Sequence, residues 1–225
     1  MQSFGQNYSL YLGGIFILFG LGFAILGLRL FPIAAFCVGF AVTALVITDI
    51  LYISFIKQNT KTWVVVTSLI SMFLSALMVG ILLIKLDRLG AAVVSGWGGF
   101  TAGVLLNEAW LYMYQYSNLS LYILGILTLV CFSLGFIWCH EAMIASTSFF
   151  GAYFTIRGFS VYIGYFPGEI TLFKNLLSGQ QQSVDGQFYY YLGAIIVLTL
   201  GSSVAQFFIN RKTTQKFSEV SNITI

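Results

Sequence analysis

Three ionisable side chains lie inside long apolar segments and are the residues best placed to do chemistry. They are Asp49, Glu108 and Arg157, and Asn107 stands beside Glu108. A charged side chain at the centre of a membrane helix costs about 2.5 to 3.5 kcal/mol on insertion scales, so such residues usually face one another or a water-filled route. Two acids and one arginine are compatible with a cation or proton site, a gate, or a buried network that holds helices in register.

Patterns typical of catalysis or metal binding are weak by comparison. The single histidine, His140, lies between Cys139 and Glu141. The side chains of three consecutive residues point in different directions from a helix or turn, so they cannot all coordinate one metal ion. The chain contains no Gly-x-Ser-x-Gly pattern and no phosphate-binding loop. We therefore expect no catalytic residue, no metal, no cofactor and no enzymatic activity.

Composition indicates the environment of these residues. Of the 225 residues, 59% are hydrophobic and 8% are charged, and the mean hydropathy is +0.92. Because about a quarter of a soluble domain's residues are normally charged, most of this surface faces the lipid bilayer. The net charge of +3 is scattered along the chain, so no nucleic-acid partner is expected.

Apolar windows of about 20 residues, the length that spans the hydrocarbon core, predict seven transmembrane helices. They cover residues 8–30, 31–53, 63–85, 91–114, 119–141, 142–164 and 188–210. Continuous apolarity over this length favours helices over the shorter strands of a barrel. The sequence thus predicts an all-α polytopic membrane protein with one domain at 1–210 and a short cytoplasmic tail at 211–225.

An internal repeat organises the first six windows. Three segments, at about 10–53, 63–114 and 119–164, each carry a glycine, a tight turn with ionisable residues, and a glycine-rich second helix. The paired glycines, which stand at nearly equal spacing, are Gly22 with Gly39, Gly80 with Gly96, and Gly135 with Gly151. Since a short turn favours antiparallel neighbours, the pattern predicts three tandem hairpins followed by a final helix.

Small residues recur on single faces of the even-numbered helices. Helices in lipid associate through close backbone approach, and glycine permits it. We therefore predict helix packing at Gly39, Gly96, Gly99, Gly103, Gly151 and Gly158. Pore lining and a homo-oligomer interface are the alternatives for the same glycines.

The distribution of lysine and arginine predicts the orientation, because cytoplasmic loops carry an excess of these residues. Six of them fall in the cytoplasm if the amino terminus lies outside, namely Arg29, Lys85, Arg88, Arg211, Lys212 and Lys216. Three remain outside, namely Lys57, Lys61 and Lys174. We expect an external amino terminus and a cytoplasmic carboxyl terminus.

Several runs carry a family resemblance. They are Gly27-Leu28-Arg29-Leu30-Phe31, Arg88-Leu89-Gly90, Gly98-Gly99-Phe100-Thr101-Ala102-Gly103, Phe150-Gly151-Ala152-Tyr153-Phe154-Thr155-Ile156-Arg157-Gly158 and Phe166-Pro167-Gly168-Glu169. In order and spacing they resemble the three repeats of the transmembrane protein 198 family, over about residues 10–210. The resemblance implies a seven-pass protein of the plasma membrane or cytoplasmic vesicles with no assigned chemistry. An animal branch of that family is linked, as a scaffold, to Wnt co-receptor phosphorylation.

Two functions remain open at this stage. The first is a non-enzymatic scaffold or complex subunit, with other membrane proteins or a second copy as partners. The second is a channel or transporter with a polar route near Asp49, Glu108 and Arg157. An ordinary retinal protein is excluded because the last window, 188–210, contains no lysine for the Schiff base.

Overall fold

The computed structural model describes residues 2–54, 62–110, 117–164, 166 and 186–223, and all of the regular secondary structure in these ranges is α-helical. The helices are α1 (Gln2–Ser54), α2 (Thr62–Lys85), α3 (Asp87–Ala109), α4 (Ser117–Ile137), α5 (Cys139–Ile163) and α6 (Gln187–Ile223). The last helix continues through most of the segment predicted to be a tail.

Helix α1 takes the place of the first two predicted helices. It runs for 53 residues and is interrupted at Leu26, whose φ of −106° and ψ of 20° are not helical. The break falls four residues before the predicted boundary at residues 30 and 31, and Pro32 lies inside the helix. Because proline has no N–H, the Leu28 carbonyl, four residues earlier, has no backbone donor from this position.

Single residues also separate the next two pairs of helices. Leu86, with φ −108° and ψ 77°, stands between α2 and α3, and Trp138, with φ −108° and ψ 62°, stands between α4 and α5. The ionisable residues predicted to form turns belong instead to the helices that follow. Asp87 and Glu141 occupy the first turns of α3 and α5, where a carboxylate complements the positive end of the helix dipole.

The three breaks define a common register that the sequence pattern alone did not reveal. Gly39 follows the break at Leu26 at the same spacing as Gly99 follows Leu86 and as Gly151 follows Trp138. At each of these glycines an added Cβ would meet a residue of another helical segment. The sequence pattern aligns Gly96 with Gly39 and Gly151. In the register that the breaks define, the equivalent residue is Gly99 instead.

Packing differs from the predicted hairpins. Helices α2 and α3 make few contacts with each other, as do α4 and α5, although each pair is joined by a single residue. The extensive contacts are between α1 and α2, between α3 and α4, and between α1 and α5. A one-residue connection is too short for two antiparallel helices to lie side by side, so the helices diverge from each junction and pair with other neighbours.

The contact between α5 and the first half of α1 closes these pairings into a ring. Gly158 lies against Gly13 and Ile17, and Gly151 lies against Gly20 and Ala24, so the two segments run antiparallel. The second half of α1 packs on α2, where Gly39 meets Leu83. Helix α6 lies outside this ring, against α5 and α1.

The middle of the ring is filled by apolar side chains. Phe31, Ala35, Ala91, Val94 and Phe150 form one buried cluster with Leu83. Partly buried Trp97 and Phe154 pack against this cluster. Helices from all three pairings thus meet in a packed apolar centre.

Five described segments are long and apolar enough to cross a membrane. They are Tyr11–Leu51, Thr62–Lys85, Asp87–Ala109, Ser120–Ile137 and Gln187–Asn210. Helix α5 is not among them, because it carries polar and charged residues along its length. Much of α5 is buried by α1, α3 and α6, so protein rather than lipid surrounds many of these polar groups.

Candidate functional site

Two of the predicted site residues are buried near the carboxyl end of α3. Glu108 is 3% exposed and Asn107 is 7% exposed. Leu105 and Ala109, on either side of them, belong to a cluster that also contains Tyr153 and Phe166. A carboxylate at this depth is costly unless polar groups compensate it, so this part of α3 is the strongest candidate for an intramembrane polar site.

Arg157 lies at the matching end of α5 and is half-buried. Its Nη1 donates a hydrogen bond to Ser160 Oγ at 3.1 Å. The guanidinium carbon lies 5.0 Å from the centroid of the Phe166 ring, within range of a cation–π interaction. The phenol of Tyr191 on α6 donates to the carbonyl of Gly164 at 2.8 Å, which ties the end of α5 to the last helix.

Asp49 has a different environment from the other two charges. It lies in the last turns of α1 and is exposed. The structure therefore buries Glu108, half-buries Arg157 and leaves Asp49 at the surface. Direct pairing of Arg157 with either acid stays a prediction.

The glycines predicted to pack helices lie at helix contacts. An added Cβ would lie 3.3 Å from Phe132 Cβ at Gly96, 2.7 Å from Cys131 Cβ at Gly99 and 3.0 Å from Leu124 Cδ1 at Gly103. These three glycines all face α4. Gly39 faces α2, and Gly151 and Gly158 face the first half of α1.

A buried amide that sequence reasoning missed lies at the break in α1. Gln206 of α6 is 3% exposed, and its Nε2 donates to the carbonyl oxygens of Phe23 and Ala24, each at 3.0 Å. Non-helical dihedrals at Leu26 disturb the i to i−4 ladder there, so nearby carbonyls need other donors. Gln206 supplies them from the last helix of the chain.

Thr147 of α5 joins the same contact. Its hydroxyl oxygen lies 2.7 Å from the Met143 carbonyl oxygen and 3.2 Å from Gln206 Oε1, so its single proton can be donated to either acceptor. Gly27 makes the arrangement possible, because an added Cβ would overlap both the Gln206 amide and the Thr147 hydroxyl. A glutamine in the middle of an apolar stretch was the available signal, since polar side chains in membrane helices often bond across to neighbours.

The helix ends near Leu86 and Trp138 also meet. The thiol of Cys139 lies 3.6 Å from the Asp87 carbonyl oxygen, and the side-chain nitrogens of Asn210 and His140 are 3.4 Å apart. Among the described residues no group of three His, Cys, Asp or Glu side chains is placed to hold a metal ion. These contacts bring the amino ends of α3 and α5 and the middle of α6 together.

Comparison with known families identifies the class. The model of the TM7S3/TM198-like domain matches residues 13–207, which is most of the chain and includes all three breaks and Gln206. The chain belongs to the TM7S3/TM198-like domain family and is an integral membrane protein. Comparison with curated proteins finds no significant match, and comparison with solved structures finds none either.

Proposed function

We propose that the chain is a non-enzymatic multi-pass membrane protein that acts as a scaffold or a complex subunit. The observation that carries the proposal is the packed centre, where Phe31, Ala35, Ala91, Val94 and Phe150 fill the space between the helices. A bundle filled in this way offers a stable surface rather than a route. The family resemblance points to the same role.

The proposal includes seven membrane crossings. The apolar stretch Tyr11–Leu51 has 41 residues, a length that at the helical rise amounts to about two hydrocarbon cores. The break at Leu26 divides it into two spans. Helix α5, shielded by its neighbours, supplies the seventh. With the charge bias of the sequence, the amino terminus lies outside and the carboxyl terminus lies in the cytoplasm of a plasma-membrane or vesicle protein.

Three tandem repeats account for the ring. The repeats begin at about residues 10, 63 and 119, and each contains one break followed, at the same spacing, by a glycine. The second segment of each repeat packs on the first segment of the next, and the third repeat packs on the first. This pairing between repeats, rather than within them, gives the bundle an approximate threefold arrangement with α6 added on one side.

Partners would bind the outward surfaces of the bundle. Helix α2 is largely exposed, with Trp63, Ile70, Leu74 and Met78 all at least half exposed. In a bilayer these side chains contact lipid or the helix of another protein, or of a second copy. Nothing polar is needed for such contacts, since close packing drives helix association in lipid.

A channel or transporter is the second candidate, and the burial of Asn107 and Glu108 favours it. Buried ionisable residues in membrane proteins commonly mark ion or proton pathways. If the protein is a channel or transporter, the apolar centre acts as a closed gate. The polar site at Asn107 and Glu108 then lies beyond this gate along the transport route.

Native extraction tests the scaffold proposal. The full chain, tagged after Ile225 and expressed at native level, is extracted with its lipids into polymer nanodiscs, and the mass of single particles is measured. We expect particles heavier than one chain plus its disc, with a fixed stoichiometry of a second copy or other membrane proteins. Particles containing one chain and lipid alone, at native expression level, would contradict the proposal.

A further inference from the structure

A cleft of about 420 Å³ opens between α3, α4, α5 and α6, with an almost wholly apolar lining. The cleft exists because the lining residues of α3 and α5 are small, among them Gly98, Ala102, Ala142 and Ala145. The side chains of Leu134 and Phe149 border it. An apolar void facing lipid does not stay empty, because its lining would lose dispersion contacts.

A second cleft of about 340 Å³ adjoins the first along α5. It is lined by Ile144, Val204, Phe207 and other residues of α5 and α6, and it shares Glu141 and Ala145 with the first cleft. The two clefts meet at Glu141 and Ala145 on the exposed edge of α5, and we call them together the α5 groove. The carboxylate of Glu141, in the first turn of α5, lies at its polar end.

Hydroxyl groups line the groove deeper in the bundle. Ser95 is more than nine-tenths buried, and its Oγ has no hydrogen-bond partner among the described residues. The Oγ is itself covered, so a ligand in the cleft reaches it only after the lining side chains shift, and a ligand that then accepts its proton gains from binding. Ser146, which lines the same cleft, lies deeper than Glu141 along α5 by a rise of about 7.5 Å.

The volume selects a chain-like occupant over a helix. The larger cleft has a volume of about 420 Å³, which is roughly the volume of a single turn of a helix about 10 Å across. It therefore holds one turn of a partner helix at most, which is too little for stable docking. A flexible acyl chain follows a narrow apolar groove without that restriction.

We propose that the α5 groove binds one phospholipid with a primary ammonium headgroup, from the leaflet that Glu141 faces. The ammonium pairs with Glu141, the ester carbonyl accepts from Ser95, and one acyl chain occupies the cleft. Arg88, next to Asp87 at the same end of the bundle, offers a cation for the phosphate.

Photo-crosslinking of the full chain tests the site. The protein is reconstituted in phosphatidylcholine vesicles with a trace of phosphatidylethanolamine that carries a diazirine in one acyl chain. We expect labelled peptides from the groove segments of α3, α4 and α5. Unlabelled phosphatidylethanolamine should compete, whereas phosphatidylglycerol, which lacks the ammonium, should not.

Substitutions at exposed positions separate binding from folding. Glu141→Gln should lower groove labelling by up to about fivefold, the scale of one exposed ion pair. Ala145→Phe should abolish it by filling the groove, while Ala205→Phe, at an exposed alanine of α6 away from both clefts, should leave it unchanged. Equal competition by unlabelled phosphatidylethanolamine and phosphatidylglycerol, together with no effect of Glu141→Gln, would overturn the proposal, as would groove labelling that survives Ala145→Phe.

Discussion

Gln206 donates its side-chain amide to the carbonyl oxygen of Ala24, just before the break in α1, at 3.0 Å. This bond joins the last helix to the first helix at the point where the first helix changes conformation. The break would otherwise leave backbone carbonyls in an apolar interior without donors. The bond explains how a helix outside the ring contributes to its geometry.

Replacing Gln206 with leucine should therefore destabilise the protein although leucine is more apolar. The carbonyls of Phe23 and Ala24 lose their donor, and the Thr147 hydroxyl loses an acceptor. Loss of buried partners of this kind costs about 1 to 3 kcal/mol. Thermal unfolding in detergent should show a lower midpoint for Gln206→Leu. Gln187→Leu, at an exposed glutamine of the same helix, is the matched control, and equal midpoints for the two variants would contradict the role of Gln206.

The contact that closes the ring can be tested at Gly151. An added methyl at Gly151 would meet the backbone of Ala24 at 2.5 Å from its nitrogen and 2.8 Å from its Cα. Because backbone cannot move aside cheaply, Gly151→Ala should destabilise by about 1 to 3 kcal/mol. Gly193→Ala provides the control, since nothing lies within 4 Å of its added Cβ and helix propensity favours alanine by up to about 1 kcal/mol. The same unfolding assay should shift in opposite directions for the two variants.

Pairing of Arg157 with Glu108 or Asp49 is tested by double-mutant cycles. Arg157→Ala should destabilise the protein by leaving a carboxylate stranded, and Glu108→Ala in the same chain should recover part of the loss. Removing one member of a fully buried pair costs about 3 to 5 kcal/mol, and the cost should be smaller here because Arg157 is half-buried. Asp49→Ala gives the comparison cycle at an exposed acid. Free energies that add in both cycles would show that Arg157 pairs with neither residue.

The topology follows from the charge bias and is tested at two positions. A reporter fused after Ile225 should read cytoplasmic, and a tag inserted among Gln180 to Gln182, outside the described residues, should be accessible from outside intact cells. The proposed crossing of the last helix places these two positions on opposite sides of the membrane. Reversed results at both would invert the orientation, and results on the same side would mean that the last helix does not cross.

Local signals in the sequence located most of the helices and the glycines at their contacts. Gly96, Gly99 and Gly103 recur on one face of one helix and all meet α4, a short-range pattern that helix periodicity carries directly. The breaks at Leu26, Leu86 and Trp138 lie within or just before the predicted turns, but the turns were predicted to be longer because these apolar residues carry no turn signal. The pairing of α1 with α2, of α3 with α4 and of α5 with α1 was missed because it depends on how far a one-residue connection lets two helices approach, which composition does not encode.

In the polar site, too, the sequence indicated some residues and not others. Asn107 and Glu108 were identified because charge in an apolar window is conspicuous, and both are buried. The role of Gln206 depends on a carbonyl that becomes available only once the break in α1 is known. Asp49, which is exposed, lies within a turn of the predicted helix end, a position from which a side chain can reach water.

Ion flux in vesicles tests most directly whether the packed centre makes this chain a scaffold rather than a conduit. Purified full-length protein is reconstituted into sealed liposomes, and the movement of K⁺, Na⁺, Cl⁻ and H⁺ is followed under imposed gradients and voltages. We predict rates equal to those of protein-free vesicles, because buried side chains such as Phe150 and Val94 fill the centre of the bundle. A flux that scales with the amount of protein and is altered by Glu108→Gln would contradict the account.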